Sequence, residues 1–217
     1  DKFPVSPYLD SRESFIKWMH FLHNKFNERL EKPHVNFDEF LEKYPPYIIE
    51  NGVEFASYLP YKIQEDIKII IEKAALSMGI TNGIVKGDIV VHDGKPYVIE
   101  LAARLSGGYF CTHEIPMNTG VDLVGNAIKM AIGERLDLND LLPKFNKNIC
   151  QRYIFPKPGV IKDISGFGEL VKKPSIKYFN LHVKSGQKIE EPTAHPSRAG
   201  MLIVTGKSRE DARLNAT

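Results

Sequence analysis

The sequence predicts an α+β fold: an antiparallel sheet with helices, followed by a small β-rich subdomain. Three observations carry that expectation. Apolar residues recur at helical spacing over 10–31, 61–78 and 119–132. Between the second and third of these segments the period drops to two, over 83–101. From Asn148 onward the apolar residues come in short pieces separated by Pro and Gly, such as Tyr153-Ile154-Phe155, Leu181-His182-Val183 and Met201-Leu202-Ile203-Val204-Thr205. The expected division is residues 1–134 and 135–217.

Along the chain, Asp10 or Ser11 caps a first helix over 10–31, with Phe15, Trp18, Met19, Leu22, Phe26 and Leu30 on one side and Pro33 ending it. His20 and His23 fall on its polar face rather than forming a metal pair. Residues 37–42 are ambiguous between strand and turn, and Tyr44-Pro45-Pro46-Tyr47 breaks any helix. Ile48 and Ile49 suggest a brief buried strand. A second helix over 61–78 places Ile63, Ile67, Ile70, Ile71, Ala74 and Met78 together and stops at Gly79. Strands at 83–91 and 96–101 follow, joined by His92-Asp93-Gly94-Lys95, a hairpin signal. Residues 102–118 read as loop. A third helix, 119–132, turns Val121, Val124, Ile128 and Ala131 inward, and 208–215 reads as a closing helix.

The 217 residues suffice for a core without disulfides or a structural metal, and 42% hydrophobic with 26% charged residues is ordinary globular composition. Lys+Arg 29 against Asp+Glu 27, a net charge of +2, gives no bulk electrostatic argument for nucleic acid or an anionic membrane. No apolar run approaches the roughly 20 residues that span a bilayer, and no signal-peptide pattern opens the sequence. A cytoplasmic setting is expected, with Cys111 and Cys150 as small buried hydrophobes rather than reactive thiols.

The stretch from Ile84 to Arg104 is the most informative. Alternation puts Ile89, Val91, Tyr97, Ile99 and Leu101 toward a core and Lys86, Asp88, Glu100 and Arg104 on the other face. A three-residue loop Asp93-Gly94-Lys95 sets Asp88 directly across from Glu100, with Cβ atoms about 4.5–5.5 Å apart. A two-residue Asp93-Gly94 turn sends the two acids to opposite faces instead. Opposed carboxylates repel unless something neutralises them, and a divalent cation does so well; Mg²⁺ accepts one or two carboxylates and completes its shell with water and phosphates. Arg104, further along, suits a phosphate or a developing oxyanion. The other reading of these residues is an ordinary solvated hairpin face.

These motifs resemble the ATP-grasp ligases. Asp88 stands twelve residues before Glu100, Glu100-Leu-Ala-Ala-Arg104 matches the family's Glu-x-(Asn or Ala)-x-Arg, and Thr119-Gly-Val-Asp-Leu-Val with Ala131-Ile-Gly-Glu134 matches the segment that follows. Residues 150–217, with Gly159–Gly166, His195–Gly200 and Thr205–Ala212, resemble the β-rich C-terminal subdomain of the biotin-carboxylase-like and amino-acid-ligase branches. The resemblance implies the C-terminal lobe of the ATP-grasp fold, Asp88 and Glu100 as metal ligands, Arg104 as the catalytic arginine, and Glu39, Phe40 and Leu41 at an adenine-binding hinge. It implies ATP and Mg²⁺ (or Mn²⁺) as cofactors, carboxylate and amine substrates, and a homodimer as a common assembly. The implied reaction is carboxylate–amine ligation through an acyl phosphate, with amino-acid ligation as one form.

The departures are specific. Ala102 replaces the usual Asn, the form of the L-amino-acid-ligase branch, and Gly108 stands where bicarbonate users carry Glu. His113 reads as a loop hydrogen-bonder or, with Glu114, a substitute for that Glu. His195-Pro-Ser-Arg198 reads as a cap of the subdomain or a nucleotide contact, and Lys172-Lys173 as solvated surface. No convincing lysine-bearing strand or Gly-rich loop precedes Glu39, and the family's N-terminal domain has no counterpart in these residues. The alternatives are therefore a carbamoyl-phosphate-synthase-like or purine-biosynthetic ligase, or a non-catalytic nucleotide-binding module.

Overall fold

A computed structural model of the protein describes residues 47, 49–55 and 57–217. The helix expected at 10–31, the segment 37–42 and the hinge residues Glu39, Phe40 and Leu41 lie outside the described residues.

The centre is a four-stranded antiparallel sheet, built from β1 (Gly52–Phe55), β4 (Asn148–Ile154), β6 (Ile176–Leu181) and β8 (Gly200–Gly206), in the order β1-β4-β8-β6. Alternation along β4 and β8 sorts its two faces. Ile149, Tyr153, Met201 and Ile203 form one buried cluster, with Phe55, Tyr109, Met117, Phe155 and Tyr178 against it. Cys150 and Val204 point the other way and pack with Ala212 of α5 (Arg209–Asn215). Ser208 caps α5 by accepting from the Asp211 amide at 3.0 Å. A Cβ at Gly206 would strike the Ala212 backbone, so glycine there lets α5 lie flat on the sheet. The β-rich C-terminal half expected from the sequence is present, and it recruits β1 from the other side of residue 134.

On that second face Glu54 accepts hydrogen bonds from Arg152 (2.7 Å), Arg209 (2.6 Å) and Arg213 (2.8 Å). Burial would raise its carboxyl, but the bonds from Arg213, Arg152 and Arg209 outweigh burial and hold it at about 2. This cluster ties β1, β4 and α5 together.

Helix α1 (Tyr61–Ser77) covers one side of a hairpin formed by β2 (Lys86–His92) and β3 (Lys95–Ala102). The expected apolar stripe holds for Ile63, Ile67, Ile70, Ile71 and Ala74, whereas Met78 is exposed past the helix end. Gly79, at φ +74°, turns the chain away.

Two expectations are corrected. Residues 102–118 are not all loop: a π-helical turn, Phe110–Glu114, runs into α2 (Ile115–Thr119). The following helix, α3, starts only at Leu123 and ends at Ala131, because Gly120 takes a left-handed conformation and Asp122 caps the Gly125 amide at 2.8 Å. Its inward residues include Asn126, whose amide donates to the Asp122 carbonyl at 2.8 Å, while Ile128 and Ala131 are exposed.

Candidate functional site

The β2–β3 hairpin places Asp88 directly opposite Glu100, by a route the sequence reading did not contain. The turn has two residues: His92 pairs with Lys95, and Asp93 (φ 50°) and Gly94 (φ 69°) are both left-handed, as a type I′ turn requires. That register alone would separate the acids. A bulge between the Asp88 and Ile89 pairings inserts Ile99 into β3, shifts the ladder by one residue and returns Glu100 to Asp88. The same bulge corrects the predicted core face: Tyr97 is 41% and Ile99 37% exposed. The covered face holds Gly87 and Leu101 against Ile71 of α1; a Cβ at Gly87 would collide with the Ile71 side chain.

The uncovered face carries the charges. Lys86 forms an ion pair with Asp88 and lies 3.6 Å from Glu100, so one ammonium sits between the two carboxylates. Arg104 Nη2 approaches Glu100 at 3.8 Å, and its Nη1 donates to the Leu105 carbonyl at 3.1 Å. Asp88, Glu100 and Arg104, named from the sequence, are thus brought together, each about half exposed. Lys86 shared their predicted face, but its role as counter-cation is visible only in the fold. The donor set fits Mg²⁺ as part of a nucleotide complex: two adjacent carboxylates leave the remaining positions to water and phosphates. Among the described residues no group of three His, Cys, Asp or Glu gathers as a self-sufficient metal cage.

Beyond Arg104 the chain turns through Ser106-Gly107-Gly108 to Tyr109. Gly108 (φ 63°) and Tyr109 (φ 72°) are both left-handed, and an aromatic residue in that region is strained. Tyr109 is held in a three-ring cluster, with Tyr178 at 4.9 Å and His113 at 5.3 Å. His113 hydrogen-bonds Thr112 at 2.8 Å and lies tilted against Tyr178 at 4.6 Å, a packing position within the π-helical turn. Glu114, the last residue of the π turn, is fully buried. The sequence named Glu114 only beside His113 as a stand-in for the bicarbonate users' Glu, and its burial carried no sequence signal, because burial of a charged residue is decided by tertiary packing.

Residues 152–217 match the family L-amino acid ligase C-terminal domain 2. An uncharacterized protein of Sinorhizobium fredii, y4rH, is 23% identical over 168 residues, 77% of this chain and 34% of that protein. The crystal structure of L-amino acid ligase from Bacillus licheniformis aligns with a TM-score of 0.66 at 21% identity, over 78% of this chain and 42% of that one. Phosphoribosylglycinamide synthetase from Anaerococcus prevotii aligns at 0.63 and 20% identity, over 76% of this chain and 42% of that one. The chain therefore spans less than half the length of each of these relatives. Among the described residues no helix is long and apolar enough to cross a membrane. The chain therefore shares the fold of part of these ligase structures, and within it residues 152–217 match the L-amino acid ligase C-terminal domain 2 family.

Proposed function

We propose that the whole protein is an ATP- and Mg²⁺-dependent carboxylate–amine ligase acting through an acyl phosphate, and that Asp88, Glu100 and Arg104 belong to its reaction centre. The single observation that carries this is the Asp88–Glu100 pair on the open face of the hairpin, with Arg104 beside it. Two like charges placed side by side cost stability unless cations are held there, and Lys86 brings one positive charge to two carboxylates, which leaves the pair able to take a divalent ion as Lys86 turns away. The match over 152–217 favours amino-acid ligation among the reactions of this class.

Asp88 and Glu100 would hold the metal of a nucleotide complex. A bound Mg²⁺ supplies charge neutralisation for the triphosphate. Lys86, now between the acids, would be free to turn toward phosphate oxygens as they are engaged. Arg104 would stabilise negative charge developing on the acyl phosphate or on the tetrahedral adduct formed when the amine attacks. Its anchor to the Leu105 carbonyl limits the guanidinium's freedom, so less ordering is required when charge develops. Gly107 and Gly108 allow backbone to approach a substrate closely. The adenine hinge at Glu39, Phe40 and Leu41 and a homodimeric assembly remain part of this reading.

The test is ADP release by the full-length protein with pairs of amino acids, ATP and Mg²⁺. Substrate-dependent ADP is expected, and Asp88→Asn or Glu100→Gln should abolish it. A protein that binds ATP yet forms no ADP with any acid–amine pair is a nucleotide-binding module instead. Undiminished turnover in both variants removes the metal assignment.

A further inference from the structure

Gln151 stands at the middle of β4, between Val53 of β1 and Ile203 of β8, and is fully buried. Alternation puts its side chain on the first face of the sheet, with those of Ile149 and Tyr153. The amide nitrogen donates to the Gly108 carbonyl at 3.0 Å and lies 3.6 Å from Met201 Sδ. Its Oε1 is buried and has no hydrogen-bond partner among the described residues. Half of a buried amide is thus left unsatisfied, a cost that an apolar side chain of similar shape would avoid. Packing of the sheet does not call for glutamine here. What the amide does hold is a carbonyl 43 residues away in the sequence.

That carbonyl ends a run of backbone with little else to fix it. Arg104 is tied to β3, its amide donating to the Ala102 carbonyl at 2.9 Å. Among the described residues, the amides of Leu105, Ser106, Gly107 and Gly108 donate to no backbone carbonyl. Leu105 lies inside this run, and its carbonyl is the anchor of the Arg104 guanidinium. Order returns at the far end, where Gly108 and Tyr109 are left-handed and the Phe110 amide closes a turn on the Gly107 carbonyl at 3.2 Å. Left-handed backbone at an aromatic residue persists only where its surroundings over-determine it. Among the described residues, the bond from Gln151 is the one hydrogen bond that ties the backbone of 105–109 to the central sheet.

We propose that Gln151 is a positioning residue for Arg104: by holding the Gly108 carbonyl on the central sheet, it fixes the far end of segment 104–108 and with it the Leu105 carbonyl that orients the guanidinium. The near end is fixed by β3, which belongs to a different sheet, so the segment is pinned between two separate supports. A group that must meet a developing charge needs such support, since a misplacement of about 1 Å can cost roughly a hundredfold in rate. The support must itself be locked, and a fully buried amide on an interior strand is locked. The consequence for turnover rests on the ligase reading, whereas the holding of the turn does not.

Gln151→Met in the full-length protein removes the amide and keeps the length of the side chain. Brief exposure to trypsin, with the early fragments weighed by mass spectrometry, reads the segment directly, because cleavage after Arg104 follows how often the turn opens locally. In the variant that cleavage should rise at least about tenfold relative to the other sites, with the urea midpoint unchanged. The kcat for ADP release should fall at least about tenfold while the KM for ATP stays within a few-fold. Unchanged cleavage after Arg104 in the folded variant overturns the proposal. So does faster cleavage with an unchanged kcat, or a KM for ATP that rises as far as kcat falls. Should Gln151→Met fail to fold, Gln151→Leu is read in its place; loss of folding in both also overturns the proposal, because the amide would then hold the fold rather than the turn. If the unaltered protein forms no ADP with any acid–amine pair, the ligase reading falls, and cleavage after Arg104 alone decides whether Gln151 holds the turn.

Discussion

Replacing Glu114 by Gln should change how the protein's stability depends on pH, in a direction opposite to that of most carboxylates. Both carboxylate oxygens of Glu114 are buried without a hydrogen-bond partner among the described residues. Burial first, and the neighbouring Glu50 charge second, push the carboxyl from 4.5 to about 8. In the unfolded chain the group returns to its ordinary value. Between those two values the folded state keeps a proton that the unfolded chain has released, so raising the pH favours unfolding. The stability linked to Glu114 is whole below the unfolded pKa and is lost as pH climbs through the folded one. Each pKa unit is worth ~1.4 kcal/mol, so the loss between about pH 6 and about pH 8 comes to ~2 kcal/mol. Gln keeps the shape and cannot ionise. Urea unfolding of the two proteins at about pH 6 and about pH 8 should therefore show the variant gaining ~2 kcal/mol on the wild type over that interval. Taking the difference between proteins cancels the histidines and every other shared titration. Parallel stability profiles across the interval would refute the reasoning, since they would mean that Glu114 is already ionised in the folded protein or that it titrates alike in both states.

Three further outcomes follow from the same structure. Glu54→Gln leaves Arg152, Arg209 and Arg213 without their shared carboxylate and should cost about 3 kcal/mol of unfolding free energy by urea titration near neutral pH. Because its pKa is depressed, that stabilisation is present above the ordinary carboxylate value and fades as pH falls toward about 2, so the gap between the two proteins should close in strong acid. Cys150 is fully buried, and burial pushes its thiol up to about 11; Cys111 is 3% exposed. A chromogenic disulfide reagent should find almost no thiol in the native protein and both in denaturant. Under the proposed function, Arg104→Lys in the full-length protein should lower kcat by about a hundredfold or more while leaving the KM for ATP within a few-fold, measured by ADP release, because a point charge cannot reproduce the planar contact with a developing oxyanion; an unchanged kcat would remove Arg104 from the proposed reaction centre.

Helix α1 was legible because Ile63, Ile67, Ile70 and Ile71 repeat at the helical period and Gly79 ends it. The alternation of β4 and β8 was legible as short strands, since each buries one face against the α2 region and the other against α5. Helix α3 was read too long. A local apolar pattern does not reveal that Gly120 turns left-handed or that the Asp122 side chain would cap the chain three residues beyond the expected start. The turn inside 102–118 escaped because a π-helical turn has no period of its own to recognise.

The candidate site divides in the same way. Residue types and spacing alone predicted the hairpin and left Asp88, Glu100 and Arg104 as either a metal–phosphate face or a solvated one; the resemblance to the ATP-grasp ligases singled them out. Local chemistry also chose the turn, since Asp93-Gly94 prefers the left-handed pair that a two-residue hairpin needs. Left to that turn, the acids would face opposite ways. Only the tertiary structure decided otherwise: Leu101 and the bare backbone of Gly87 sit under Ile71 of α1, β3 takes in one extra residue at Ile99, and the ladder slips by the single step that sets carboxylate beside carboxylate. The burial of Glu114 and of the unpartnered Nε of Arg198 belong to the same class. They arise where segments far apart in sequence close over one another, and removal from water is a property that no single segment possesses.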